Sequence, residues 1–201
     1  MTVPDTAETV VRASHIFGAR QGEWRYQSYA ELPDDGNRYE VLREVLFMAP
    51  APNTFHESIS ALIVGRLVMA ISDKNVGRVL ISPDIDAIGS VVRPDAVVVL
   101  NANLGVIARS SLVGPPDLVV EVASPATAAY DRDAVSGKRA IYAEIGVPEY
   151  WVVDPGTRTI EVLTLAGGAY TTLGVASGAA SGPSRVLPEP TFAAARCFPA
   201  E

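Results

Sequence analysis

Two short apolar runs, each carrying a carboxylate, constrain the fold of this chain most strongly. Asp95 opens the Val-rich run 95–100, and Glu121 lies inside the apolar run 118–122. Continuous apolar runs of this length are typical of central strands that are covered on both faces. A carboxylate in such a strand costs roughly several kcal/mol unless it is paired, protonated or bound to a metal. The sequence therefore predicts a sheet that holds two acids at costly positions.

These two carboxylates allow two interpretations. On neighbouring strands they would bring hard oxygen ligands together, which suits Mg²⁺ or Mn²⁺. Alternatively, Asp95 caps a turn and Glu121 lies at an exposed edge or pairs with an arginine. The residues alone leave both interpretations open.

Length and hydrophobic content predict one domain with its own core. The chain has 201 residues, of which 48% are hydrophobic, and a domain usually takes about 100–200 residues. Weak periodicity at the start predicts an N-terminal arm or short edge element in residues 1–25 and a single domain in residues 26–201. No apolar run approaches the ~18 residues of a membrane helix, and the N-terminus lacks the layout of a signal peptide. We therefore expect a soluble, cytoplasmic protein.

Charge and side-chain counts exclude several classes of function. Sixteen Lys and Arg against 23 Asp and Glu give a net charge of −7, which argues against a protein that coats nucleic acid with a basic surface. It does not exclude a nuclease, because a bound divalent metal supplies local positive charge. Cys197, His15 and His56 are too few for an internal disulfide or a Cys/His zinc set. The chain also lacks the Gly-x-Ser-x-Gly elbow of acyl-transfer enzymes.

Hydrophobic spacing predicts two helices. Apolar residues recur at helical spacing over about residues 54–73, and Thr54 with Glu57 matches a capping box. A second helix is predicted over residues 131–145, ended by Gly146.

Short apolar or alternating runs predict strands between and after these helices. The predicted strands are 39–48, 78–82, 84–88, 95–100, 118–122, 150–153, 159–165 and 170–173. Residues 174–184 have the Gly/Ala/Ser composition of a flexible linker. This order of helices and strands predicts an α/β or α+β fold with a mixed central sheet flanked by helices.

The order of acidic and basic motifs carries a family resemblance. The motifs are Glu40, Arg93-Pro94-Asp95, Glu121-Val122-Ala123-Ser124-Pro125, Lys138-Arg139-Ala140-Ile141-Tyr142 and Gly146-Val147-Pro148-Glu149-Tyr150-Trp151-Val152-Val153-Asp154-Pro155. This order resembles the Uma-two (putative restriction endonuclease) family of bacterial proteins, a branch of the PD-(D/E)XK nuclease superfamily. The resemblance runs from about Tyr26 to the C-terminus and includes residues 184–188, which we expect to form a final strand.

The resemblance implies a restriction-endonuclease-like core with a Mg²⁺ (or Mn²⁺) site at one sheet end. Asp95 matches the metal-binding Asp of the family, and Glu121 matches the acid of its (D/E)XK motif. The carbonyl of Val122 is the implied third ligand, and Glu40 completes the acidic set directly or through water. Lys138 would stabilise charge on the phosphoryl group or position the attacking water.

The lysine departs from the plain motif. Two residues after Glu121 the chain has Ala123, so the lysine has moved to the following helix. A side chain of about 6 Å reach can arrive from either element. The segment from Asp131 to Lys138 is one residue longer than the commoner Asp-to-Lys spacing of the family. Two alternatives to a catalytic Lys138 therefore stay open, namely Arg139 in its place or an inactive site.

For most other polar residues we expect structural or surface roles. Glu44 shares a strand face with Glu40, so either could be the ligand, although we expect Glu44 at the surface. His56 is expected to cap or pack the first turn of its helix. Asp84 and Asp86 are expected on a solvent-facing strand side. Ser124 could bind a phosphate oxygen or cap a turn.

Three functions are compatible with these residues. The first is a Mg²⁺-dependent DNA endonuclease, the second a nuclease fold that has become a binding module, and the third a metal-dependent hydrolase of a small phosphate substrate. The net charge favours the third, because duplex affinity comes largely from Lys and Arg. For the first, we expect a homodimer formed through the edge of the last hairpin and a local basic rim. The residues of that rim are Arg78, Arg93, Arg109, Arg132, Lys138 and Arg139.

Overall fold

The computed structural model describes residues 11–13, 16, 18–49, 52–123, 137–187 and 192–200. Within them the chain forms two β-sheets and a few helices. The strands are β1 (Val11–Arg12), β2 (Arg38–Leu42), β3 (Val45–Ala49), β4 (Gly77–Ile81), β5 (Ile85–Ala87), β6 (Ser90–Val92), β7 (Ala96–Leu100), β8 (Leu118–Val122), β9 (Glu149–Asp154), β10 (Thr159–Ala166) and β11 (Ala169–Ser177). The helices are α1 (Tyr26–Ala30), α2 (Thr54–Leu67), which continues as a π-helical turn (Val68–Ser72), and α3 (Lys138–Ile145), with 3₁₀ turns at Asn101–Val106 and Ala194–Cys197.

The larger sheet is mixed and has the strand order β11-β10-β9-β8-β7-β4. The β8–β9 pair is parallel, and the other pairs are antiparallel. One face packs on α2 through Ile59 and Ile63, and the other packs on α3 through Ile141 and Tyr142. Because β7 and β8 are covered on both faces, their sequences are continuously apolar. The predicted fold class, a mixed sheet flanked by helices, is confirmed.

The smaller sheet was not anticipated as a separate unit. It is antiparallel, with the order β1-β3-β2-β6-β5. The predicted single strand 39–48 is two strands joined by a turn at Arg43 and Glu44, whose φ angles are 49° and 67°. Such turns usually carry Gly, Asn or Asp, so Arg-Glu gives no turn signal.

The described part of the predicted N-terminal arm contains the short edge strand β1, which pairs with β3. Trp24 is also buried, in a cluster with Tyr29 and Leu46. These contacts match the edge-element alternative, while the domain boundary at residue 25 stays a prediction.

Helix α2 confirms the predicted helix, but the capping residue was predicted one position too late. The amide of His56 donates to Asn53 Oδ1 at 2.9 Å, and Asn53 has extended backbone angles, so Asn53 is the N-cap. With its π-helical turn the helix spans Thr54–Ser72 and is long and apolar enough for a membrane span by length and composition alone. Charged residues such as Glu57 and Arg66 interrupt the apolar positions of this helix, so no uninterrupted apolar run marks its length. Its buried side chains, Ile59 and Ile63 among them, pack in the core against the larger sheet.

Helix α3 begins later than predicted. Gly137 has extended angles (φ −85°, ψ −175°), and the helix starts at Lys138. Residues 131–136 of the predicted helix lie outside the described residues. The C-terminal end is as predicted, because Gly146 has φ +86°, a left-handed conformation that glycine adopts without strain.

The chain after residue 173 differs from both predictions made for it. Strand β11 continues to Ser177, so the first part of the predicted linker is the edge strand of the larger sheet. Residues 184–187 are not a strand, and Pro188 lies outside the described residues. A buried carboxylate explains their path. Glu149 accepts hydrogen bonds from Trp151 Nε1 at 2.8 Å, Ser184 Oγ at 2.7 Å and the Arg185 amide at 2.7 Å.

Candidate active site

The pairing of β7 with β8 places the two predicted acids at one end of the larger sheet. Ala96 lies opposite Val120 in this antiparallel pair, so the register brings Asp95 beside Glu121. Both carboxylates are buried, with exposed fractions of 5% for Asp95 and 3% for Glu121. Both therefore need partners in the protein interior.

Lys138 is the cationic partner of Glu121. From the first position of α3, its Nζ lies 2.9 Å from Glu121 Oε1 and 2.8 Å from Glu40 Oε1. The side chain is 4% exposed. Arg139, the alternative to Lys138 as the cation of the site, instead donates to the carbonyl of Tyr170 at 3.1 Å. The register of the helix thus points Lys138, and not Arg139, at the acids.

Glu40 reaches this cluster from the smaller sheet. Strand period two puts Tyr39 and Val41 in the core of the smaller sheet and turns Glu40 toward the larger one. Its Oε1 accepts the amide of Arg93 at 2.8 Å in addition to Lys138. Glu44 lies in the β2–β3 turn and pairs with Arg25 at 2.7 Å, away from these acids.

Asp95 is held by three groups from three elements. Its Oδ2 accepts the amide of Val122 at 2.7 Å, and its Oδ1 contacts His56 Nε2 at 3.1 Å and Arg38 Nη1 at 3.3 Å. Burial alone would raise the pKa of Asp95, but the His56 hydrogen bond and the Arg38 charge outweigh it and lower the pKa from 3.8 to about 2. Asp95 is therefore an ionised carboxylate at neutral pH.

Comparison with known proteins places the chain in a family. The family model of Uma2, described as putative restriction endonuclease, matches residues 26–196. The chain belongs to the Uma2 family. A crystal structure described as a putative nuclease belonging to DUF820, from Anabaena variabilis ATCC 29413, is similar with a TM-score of 0.70 and 17% identity, covering 87% of this chain and 97% of that chain. At this identity the likeness establishes the fold alone. No curated protein matches the chain.

Membership of Uma2 and the shared fold together support a nuclease. They agree with the resemblance that the order of motifs indicated.

Three contacts of this cluster were missed from sequence. Tyr142 donates its hydroxyl to Glu121 Oε1 at 2.7 Å, and burial together with the Glu121 charge raises the pKa of Tyr142 well above 10. Its spacing of four residues from Lys138, on one helix face, was a usable signal. Arg38 lies two residues before Glu40 on the same strand face, which was another. His56 gave only the signal of a helix start, and its ring contact could not be foreseen.

Among the described residues of the expected basic rim, Arg93 and Lys138 pair with carboxylates of the protein instead. Arg93 Nε binds Asp84 Oδ1 at 2.7 Å, and Tyr29 donates to the same oxygen at 3.0 Å. Asp84 is thus part of an internal network. The prediction that it faces solvent was wrong. Lys138 points inward, Arg78 and Arg109 are exposed, and Arg132 and Ser124 lie outside the described residues.

A divalent metal fits this cluster by donor type. Among the described residues, no group of three or more His, Cys, Asp or Glu side chains could hold an ion as arranged. Asp95 and Glu121 nevertheless offer hard carboxylate oxygens from adjacent strands, the donors that Mg²⁺ and Mn²⁺ prefer. The carbonyl of Val122 lies on the side of β8 that its amide shares with Asp95. In this structure the carboxylates contact the cationic groups of Lys138 and Arg38.

The low pKa of Asp95 predicts how stability depends on pH. Because Asp95 ionises more readily in the folded protein, its charge stabilises the fold above pH 3.8, and this is lost as pH falls toward about 2. The loss amounts to roughly 2 kcal/mol, which Asp95→Asn should not show. Urea unfolding in EDTA across this range measures it. Asp86→Asn is the control, because burial raises the pKa of Asp86 and its effect has the opposite sign. If the free energy of unfolding fell equally with decreasing pH in the wild type and in Asp95→Asn, the prediction would be contradicted.

Proposed function

We propose that this protein is a metal-dependent DNA endonuclease that hydrolyses phosphodiester bonds. The observation that carries the proposal is the convergence of Asp95, Glu121 and Lys138 at one sheet end, although they come from the residue before β7, from β8 and from α3. Buried acids beside a buried lysine are expensive to maintain for stability alone. Membership of Uma2 supports the same reaction class.

Each residue of the cluster has a role in this proposal. Asp95, Glu121 and the Val122 carbonyl would hold Mg²⁺ or Mn²⁺, with Glu40 as a further oxygen donor. When bound, the ion supplies an activated water and neutralises charge on the phosphate. Lys138, whose ammonium lies beside Glu40 and Glu121, would stabilise negative charge on the phosphoryl oxygens. Asp95 needs no deprotonation at neutral pH because its pKa is about 2.

DNA is the substrate that we propose, with a homodimer as the active assembly. Double-strand cleavage needs two sites, and among the described residues β11 is an edge strand of the larger sheet, a position at which a second copy can add a strand. The net charge of −7 favours the second candidate, hydrolysis of a small phosphate substrate.

Nicking of supercoiled plasmid tests the proposal. We expect nicking by the wild type with Mg²⁺ or Mn²⁺ and none with EDTA. An Asp95→Asn preparation purified in parallel controls for contaminating nuclease. If the protein cleaves bis(p-nitrophenyl) phosphate but does not nick the plasmid, the small-substrate hydrolase is favoured. Inactivity on both substrates with either metal would overturn the proposal and favour a binding module.

A further inference from the structure

His56 touches the candidate metal ligand directly. Its Nε2 lies 3.1 Å from Asp95 Oδ1, and its side chain is 12% exposed. Capping does not account for this contact, because the cap of α2 uses the backbone amide of His56 and the side chain of Asn53. The imidazole is therefore available for a role of its own.

The imidazole is placed by a rigid element. His56 lies in the first turn of α2, and the helix is anchored further along by Ile59 and Ile63 in the core. The N-cap at Asn53 fixes the start of the helix. A ring on a capped and packed helix holds its position better than one on a loop.

The contacts of Asp95 show what this ring fixes. The amide of Val122, in β8, donates to Oδ2, and His56, in α2, contacts Oδ1. Both oxygens of the carboxylate therefore have a partner that fixes its orientation. Arg38 also approaches Oδ1, but at 3.3 Å, and it shares its guanidinium with the carbonyl of Arg93. His56 is the nearer of the two side chains on Oδ1.

We infer that His56 is a positioning residue that orients the Asp95 carboxylate for metal binding. The inference rests on the function proposed above and adds a residue to it. Hydrogen-bonded partners of a metal ligand set its orientation, and their loss typically lowers metal affinity or activity by about 10- to 100-fold. His56 thus acts through Asp95.

The test compares two substitutions of His56. His56→Gln keeps an N–H donor near the position of Nε2, and His56→Leu keeps bulk without a donor. We expect His56→Leu to weaken Mn²⁺ binding by about 10- to 100-fold in calorimetry, and His56→Gln to restore most of the affinity. Glu57→Gln, at the next and exposed position of the same turn, should bind Mn²⁺ like the wild type. Equal losses in both His56 variants, or wild-type affinity in His56→Leu, would overturn the inference.

A metal-free measurement separates this inference from the proposed function. Thermal unfolding in EDTA of wild type, His56→Leu, Asp95→Asn and the double variant forms a mutant cycle. If His56 holds Asp95, the double variant loses less than the sum of the two single shifts. Additive shifts overturn the inference, whatever the activity. If the wild type fails to bind Mn²⁺, the proposed function fails, and the cycle alone decides whether His56 fixes Asp95.

Discussion

Lys138→Met is expected to lower the rate of plasmid nicking by about 10²- to 10³-fold, the usual cost of removing one group that stabilises charge in a transition state. Lys138 Nζ lies within 2.9 Å of carboxylate oxygens of both Glu40 and Glu121, inside the proposed site. Initial rates at saturating Mg²⁺, measured across DNA concentrations, should show the loss in kcat.

Arg139→Met is the matched control for this substitution. It removes a cation at the next position of the same helix, but Arg139 donates to the carbonyl of Tyr170 and not to the acids. We expect a nicking rate close to that of the wild type. A comparable loss in both variants would mean that net charge, and not the position of Lys138, supports the reaction.

Stability gives a second measurement on Lys138→Met. Removing one partner of a buried ion pair typically costs about 3–5 kcal/mol, because the remaining charges stay buried. The unfolding free energy in EDTA should fall accordingly. Mg²⁺ should stabilise this variant more than the wild type, because the ion binds carboxylates that Lys138 no longer neutralises. Equal stabilisation of both proteins would contradict the assignment of these carboxylates as ligands.

Glu149→Ala is expected to lower the free energy of unfolding by about 3–5 kcal/mol, since three donors lose their buried acceptor at once. Glu149 is fully buried and accepts from Trp151, Ser184 and the amide of Arg185. It therefore ties the segment after β11 to the larger sheet. Urea unfolding followed by tryptophan fluorescence and by circular dichroism measures the change.

Two further variants define what Glu149 does. Glu149→Gln keeps one carbonyl acceptor and should lose less stability than Glu149→Ala. Glu161→Gln alters a carboxylate on the neighbouring strand whose bond with Thr172 is exposed, and it should change stability by under about 0.5 kcal/mol. A loss for Glu161→Gln as large as that for Glu149→Ala would show that burial of Glu149 is not the cause.

Much of the larger sheet could be predicted because its signals are local. The apolar runs around Asp95 and Glu121 report burial on both faces, and Gly146 reports a helix end. The smaller sheet was missed because its β2–β3 turn uses Arg43 and Glu44 at positive φ. The extent of β11 was missed because Gly, Ala and Ser at an edge strand have the composition of a linker.

The residues of the candidate site likewise separate into those with a local sequence signal and those without one. Asp95, Glu121 and Lys138 were found because each carries an unusual charge in an apolar context or fits a family motif. The contacts of His56, Arg38 and Glu149 join residues far apart in the chain, and no local pattern records such pairs.

The kinds of side chain in the cluster, their order and the strands that lie beside two of them follow from the sequence. Hydrophobic periodicity and charge placement are properties of short segments, so they can be interpreted without a fold. Folding, in contrast, brings Glu40 and Lys138 together beside Glu121, and it brings His56 and Arg38 to Asp95. The register of β7 on β8, the start of α3 at Lys138 and the packing of the smaller sheet set those distances. Each depends on long-range packing, which is why the tertiary structure decides it.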